Sequence, residues 1–89
     1  VIRRRVVATG AVQGVGFRWS AAREAEQHSV SGWVRNRSDG TVEASLEGEE
    51  HAVCAVLAWF REGPPGARVD DLDVREDEPQ GISGFVVQD

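Results

Sequence analysis

Between Thr41 and Glu47 apolar and polar residues alternate without a break, with Val42, Ala44 and Leu46 set against Thr41, Glu43, Ser45 and Glu47. Period two sends successive side chains to opposite faces, so this stretch predicts a half-buried strand. From Phe17 to His28 the rhythm changes. Phe17, Ala21, Ala22 and Ala25 recur three and four apart with Arg23, Glu24 and Glu26 among them, the stripe of an amphipathic helix whose charges face outward. A second helix is predicted after Gly48, its first turn holding Glu49 and Glu50, carboxylates suited to the positive end of the helix dipole. Val53, Val56, Leu57 and Phe60 form its inner stripe, and it stops at "EGPPG", where Gly63 suits a left-handed cap and the prolines cannot continue the ladder.

The remaining segments read as strands. Arg3 to Val12 is rich in β-branched residues and leads into Gly10 and Gly14; Val30 to Arg37 is a second strand, turned back through "SDG" at 38–40 into Thr41–Glu47. Arg68–Arg75 and Phe85–Gln88 complete the set, separated by a polar, glycine-containing stretch from Glu76 to Gly84. The expected order is β-α-β-β-α-β with a short C-terminal strand. This is a single α+β domain over 1–89, a ferredoxin-like sandwich with two helices on one face of an antiparallel sheet, where right-handed crossovers put them. The fold hosts enzymes, regulatory domains and RNA-binding modules alike, so function has to be argued from a site.

Composition narrows the classes. The chain of 89 residues is 40% hydrophobic and 28% charged, with a net charge of −5. No apolar run approaches the ~20 residues of a membrane helix. "VIRRRVVATG" is basic and then apolar, in the order of a signal peptide, but its apolar part is too short and it lacks a small-residue cleavage site, so it is read as the first strand. Net acidity disfavours nonspecific nucleic-acid binding, which needs a clustered basic face. Cys54 is the single cysteine, which excludes an internal disulfide and a thiolate metal cage and points to a reducing, cytoplasmic setting. All ten basic residues are arginine. Lysine nucleophiles are thereby absent, while the side chain best shaped for bidentate phosphate contact is retained.

The densest chemistry lies in "GAVQGVGFR", residues 10–18, where strand gives way to helix. A strand-to-helix turn leaves the first helical N–H groups without partners, and Gly14 and Gly16 let the chain curl so that these groups converge. The helix dipole favours an anion there, and Arg18 can close over a tetrahedral oxyanion. The loop is not GxxxxGK[ST], and it lacks the third glycine of a dinucleotide fingerprint, so ATP and NAD are poor candidates. By itself it reads equally as a plain tight turn with Arg18 on the surface. Asn36, near the end of the second strand in "GWVRNRSDGTVE", is expected near the mouth of the loop, where its amide can hold water; alternatively, an asparagine before such a turn bonds its own backbone.

Taken together, "GAVQGVGFR" at 10–18 and "GWVRNRSDGTVE" at 32–43 resemble the acylphosphatase family. The resemblance spans the chain through "LEG" at 46–48, "GPPGARV" at 63–69 and "GFVV" at 84–87. It implies that Arg18 and Asn36 are catalytic, Arg18 binding the phosphate and Asn36 orienting the attacking water. Gln13, Gly14, Val15, Gly16 and Phe17 supply the backbone cradle together with Arg18. It implies hydrolysis of acyl phosphates with no metal and no cofactor. Ala11 stands where the family often has arginine and Ser29 where it commonly has glycine, departures expected to touch affinity and stability rather than the reaction.

The residues agree with that chemistry. An arginine, an amide and backbone N–H groups include no strong base or acid. Phosphoryl transfer through a loose transition state asks mainly for positioning and charge stabilisation, and a carboxylate whose conjugate acid has a pKa of roughly 4 departs unaided. Acyl phosphates therefore fit this equipment and ordinary phosphate monoesters do not. The expected partner is a small-molecule acyl phosphate, the expected state a monomer, with no nucleic acid and no membrane.

His28 and His51 are expected at the surface or at helix ends, Cys54 as a small packing residue, and Trp33 and Trp59 in the core or on a sheet face. Trp19 is a candidate rim for the pocket. "DDLDVREDE" lacks the spacing of a calcium loop and is expected as a solvated strand edge. The alternative reading is an acylphosphatase-like module that binds phosphate or carbamoyl phosphate within a larger maturation protein; the completed fold favours the free-standing enzyme. An RNA-recognition module would need aromatic platforms on the central strands, which "RVVATGAV" and "TVEASLEG" do not offer.

Overall fold

The computed structural model describes residues 1–89. The elements run β1 (Ile2–Ala11), α1 (Phe17–Gln27), β2 (Ser31–Asn36), β3 (Val42–Gly48), α2 (Glu50–Glu62), β4 (Arg68–Asp77) and β5 (Phe85–Val87). They form one sheet in the order β4-β1-β3-β2-β5. The first four strands pair antiparallel, as expected. The short C-terminal strand departs from that pattern: β5 lies parallel to β2, with Gly32 opposite Phe85 and Val34 opposite Val87, so the sheet is mixed.

Helix stripes and strand alternation meet in one layer. Phe17, Ala21, Ala22 and Ala25 of α1 are all buried, the four residues that the period assigned. In α2 the buried residues are Ala52, Val53, Val56 and Phe60, while Leu57 packs only at the margin of the core. These cover Val6 and Ala8 of β1, Val34 of β2 and Val42, Ala44 and Leu46 of β3. Between the helices Phe17 meets Trp59 and Phe60 edge-on, with ring centroids 5.2 and 5.5 Å apart, an arrangement the ring quadrupoles favour. Cys54 is exposed and does not pack, because it falls off the inner stripe of α2.

The other face of the sheet corrects the half-buried reading of β3. Glu43, Ser45 and Glu47 are buried too, Ser45 as fully as its apolar neighbours and the two glutamates nearly so. What covers them is arginine. Arg3, at 3% exposure, donates from Nη1 to Glu47 Oε1 at 3.0 Å. Arg5 Nη1 donates to Glu43 Oε2 at 3.2 Å, and Arg35 reaches Glu43 Oε1 from Nε at 2.8 Å and from Nη2 at 2.6 Å. The Arg5 and Arg35 guanidiniums also lie over Trp33, 5.3 and 5.4 Å from the ring, which places Trp33 on the sheet face.

Burial acts to raise the Glu43 carboxyl, but hydrogen bonds from Arg35 and Arg5 outweigh it and hold the group below the usual carboxylate range. Glu47 is lowered chiefly by the Gln80 N–H, against burial, with help from Arg3 and the Gly81 N–H. Its carboxylate takes those backbone donors at 2.8 and 2.7 Å and so pins the connection between β4 and β5. The arginine run of β1 thus sits on an interior strand and screens the sheet.

Helix α1 ends without glycine. Ser29 adopts φ 57°, in the left-handed region. Its N–H donates to the Glu26 carbonyl at 3.1 Å and the Val30 N–H to the Ala25 carbonyl at 2.8 Å, the paired bonds of a Schellman cap. "DDLDVREDE" lies along β4, the sheet edge, as expected. No helix is long and apolar enough to cross a membrane.

Candidate active site

Gly14 and Gly16 both take φ 77°, a conformation that an L side chain resists. A Cβ at either position would meet nothing within 4 Å, so the loop borders open space rather than packed chain. Gly16 is the N-cap of α1. No side chain caps the helix there, and its first turn contains no acidic residue. The leading N–H groups of α1 and the positive end of its dipole are left to whatever enters that space. Both ends of the loop are anchored, by Val12 at 1% exposure and by buried Phe17 against the aromatic cluster.

The loop is stitched to the end of β2. Gln13 Nε2 donates to the Arg37 carbonyl at 2.7 Å and to the Thr41 carbonyl at 2.9 Å. Between these acceptors the β2–β3 turn is closed by Asp39, which accepts the Thr41 N–H at 3.1 Å and the Thr41 hydroxyl at 2.6 Å. Those bonds, the hydroxyl first, hold the Asp39 carboxyl below its ordinary range. Asn36 is the last residue of β2, paired with Val42. Two positions after buried Val34, it shares the helix-side face of the sheet. Asp39 closes the turn that follows Asn36.

Arg18 belongs to the same end. Its Nη1 donates to the Gln88 carbonyl at 2.6 Å, and the Gln88 N–H donates to the Val34 carbonyl at 2.8 Å. A chain of two hydrogen bonds therefore runs from the Arg18 guanidinium to β2, two residues before Asn36. One nitrogen of the fork is engaged, and its other donors remain for a ligand. Of the sequence-predicted set, Gln13 is tied to the β2–β3 turn, Arg18 to β2 through Gln88, and Asn36 is the end of β2 itself. Sequence reasoning missed Gln88, which carries no chemical signal of its own and enters only because β5 returns alongside β2. It also treated Gln13 as backbone alone, whereas the side chain makes the link to the β2–β3 turn.

The histidines lie elsewhere. His28 caps the end of α1, with Nε2 3.4 Å from Glu24 Oε1, and His51 is exposed on α2.

A ferredoxin-like α+β domain whose first helix offers a glycine-curled, uncapped N-terminus and an arginine carries features that suit an anion of the phosphate class. Residues 4–87 match the family model described as Acylphosphatase. An acylphosphatase of Thermococcus kodakarensis is 51% identical over 86 residues, covering 97% of this chain and 94% of that protein. The crystal structure of acylphosphatase from Bacillus subtilis superposes with a TM-score of 0.96 at 36% identity, covering 99% of each chain. The chain belongs to the acylphosphatase family. It is also similar, at 31% identity and a TM-score of 0.91, to 12% of the chain of full-length HypF, crystallised in a phosphate- and nucleotide-bound form. The likeness to acylphosphatases is greater, and the module reading is not favoured.

Proposed function

We propose that the chain hydrolyses acyl phosphates to a carboxylate and inorganic phosphate, without a metal, on the site formed by residues 13–18 and Asn36. Membership of the acylphosphatase family makes it a hydrolase. The observation that carries the site reading is the uncapped start of α1, faced by open space at Gly14 and Gly16, with Arg18 in its first turn.

The phosphoryl oxygens are held by the converging N–H groups of the loop and by the free donors of Arg18, which together offset the charge of the transition state. The Asn36 carboxamide accepts a hydrogen bond from water through Oδ1 and fixes it for in-line attack. The water oxygen bonds to phosphorus as the bond from phosphorus to the acyl oxygen breaks. The bonding pair leaves with the carboxylate, and a phosphoryl oxygen takes the proton released by water. No protein acid is required, because the leaving carboxylate is a weak base.

The test is release of inorganic phosphate from acetyl phosphate in the presence of EDTA, with an alkyl phosphate alongside. Chelator-resistant turnover of the first alone is expected; equal turnover of both, or loss of activity in EDTA, would contradict the reading.

We further read the molecule as a cytoplasmic monomer. A single exposed cysteine is compatible with a reducing compartment. Both sheet edges resist pairing, since β4 carries Asp70, Asp71, Asp73, Glu76 and Asp77 and β5 has only three residues.

A further inference from the structure

Residues 12–15, between the last paired residue of β1 and the N-cap of α1, form no main-chain hydrogen bond with the rest of the chain. Apolar side chains hold this stretch down, since Val12 is buried and Val15 packs at the margin of the core. Apolar contact is non-directional, so it sets the depth of the loop better than its place along the surface. Glycine at 14 and 16 leaves the backbone itself permissive. Direction comes from one side chain, Gln13.

Its Nε2 donates to the Arg37 carbonyl at 2.7 Å and to the Thr41 carbonyl at 2.9 Å. Both acceptors belong to the closing pair of the β2–β3 hairpin, where the Arg37 N–H donates to the Thr41 carbonyl at 2.8 Å and the Gly40 N–H to the Arg37 carbonyl at 3.2 Å. The Arg37 guanidinium lies 3.5 Å from Asp39 Oδ2, and Asp39 in turn accepts from Thr41. The hairpin is thus a cross-linked post to which the loop is tied. Carbonyls accept and cannot donate, so the group between them needs both protons of one amide nitrogen; glutamine supplies them, whereas ionised glutamate and methionine do not.

The brace joins the two halves of the site. Gln13 directly precedes Gly14, where the cradle begins, and Arg37 directly follows Asn36. The Gln13–Arg37 bond therefore sets the spacing between the groups that receive the phosphoryl group and the group that places water. In-line attack is sensitive to that spacing, and a misplacement of about 1 Å is costly. Arg18 is held separately, through Gln88, and does not depend on the brace.

We infer that the Gln13 carboxamide is a positioning residue for hydrolysis, holding the cradle at a set distance from Asn36 so that turnover, more than phosphate affinity, depends on it. This rests on the reading of residues 13–18 and Asn36 as the hydrolytic site and adds to it the side chain that registers one part against the other.

Steady-state kinetics with acetyl phosphate, and inhibition by inorganic phosphate, on the wild type, Gln13→Met, Asn36→Ala and the double variant test the inference. Gln13→Met keeps the length of the side chain and removes both donors. It is expected to lower kcat about tenfold while changing inhibition by phosphate less than about threefold, the split that separates placement from binding. In the Asn36→Ala background the same substitution is expected to lower kcat less than about twofold, because no placed water is left to misplace. Gln13→Asn retains the amide but falls a methylene short of the carbonyls. It is expected to lose kcat with the same dependence on Asn36, and it remains informative if Gln13→Met does not fold. An equal loss in both backgrounds would overturn the inference, by showing that Gln13 acts on the fold or on the cradle alone. Full kcat in both Gln13 variants, or a loss confined to phosphate inhibition, would overturn it too and leave the hydrolase reading standing. A wild type that does not turn over acetyl phosphate would overturn the hydrolase reading itself and the inference with it.

Discussion

Helix α2 starts from Glu49 in an extended conformation and carries Glu50 in its first turn, whereas α1 starts from Gly16 in the left-handed conformation and carries Arg18 and no acid. Neither start is capped by a side chain. Each helix therefore begins with leading N–H groups and a partial positive charge to be offset. In α2 the offsetting carboxylates belong to the helix itself. In α1 nothing in the chain supplies them, and a guanidinium adds to the positive end. The difference teaches how to read a helix start: one that carries its own acids is complete, while one that pairs open space with a cation is built for an anion from outside.

The comparison breaks most severely at Arg18. Arg18→Ala is expected to lower kcat/KM for acetyl phosphate at least 10²-fold, about 3 kcal/mol of transition-state stabilisation, with the circular dichroism spectrum intact. Arg18→Lys is expected to restore little, because a point charge cannot form two parallel bonds. Asn36→Ala is expected to lower kcat on the order of 10²-fold with little change in inhibition by inorganic phosphate, since water loses its place while the cradle is untouched. Retention of full turnover by either alanine variant would remove the assigned role.

Giving α1 the acidity of α2 sharpens the contrast. Ser20→Glu places a carboxylate in the first turn of α1 and is expected to weaken inhibition by inorganic phosphate about tenfold, a repulsion of about 1–2 kcal/mol. Glu50→Gln makes the converse change in α2. It is expected to leave kinetics unaltered and to cost less than about 1 kcal/mol of stability in thermal melts.

Two smaller effects concern the frame around the site. The Glu47 carboxyl is held below its ordinary range, so the stability it contributes is present above the carboxylate range and lost as pH falls through its depressed value. Melting temperatures of Glu47→Gln are expected to fall below wild type at neutral pH and to converge with it in acid, below the ordinary carboxylate range. A gap that persists unchanged in acid would contradict the ionic role. Ser29→Gly removes the side-chain cost of φ 57° at the end of α1. The expected gain is about 0.5–1 kcal/mol, a rise of a few degrees in Tm.

Much of the frame is visible in the residue pattern, and the gaps have physical causes. The α1 stripe is read without error because Phe17 and the three alanines recur at the helical period on the inner face, with Trp19 the one large apolar residue outside it. The glycine loop is recognisable because φ 77° at Gly14 and Gly16 calls for glycine, whereas Arg18 and Asn36 are singled out by the family resemblance. The burial of Glu43 and Glu47 is hidden, since alternation reports which face a residue takes but not what lies above it. The clue was Arg3 and Arg5 at strand spacing, with acids at the matching spacing on β3. The parallel pairing of β5 is hidden as well, because a short edge strand carries no mark of its neighbour. With it went Gln88, whose part depends on where the backbone returns. Cys54 was misplaced because a small residue beside an apolar stripe fits either face.

The central claim is that the start of α1, and not the start of α2, receives the phosphoryl group. A titration of the ¹⁵N-labelled protein with inorganic phosphate measures this directly. Shifts are expected at the amides of Gly14 to Arg18 and at the Asn36 side-chain amide, abolished by Arg18→Ala, with Glu49 to Ala52 unmoved. Silence along 14–18, or equal shifts at both helix starts, would contradict it.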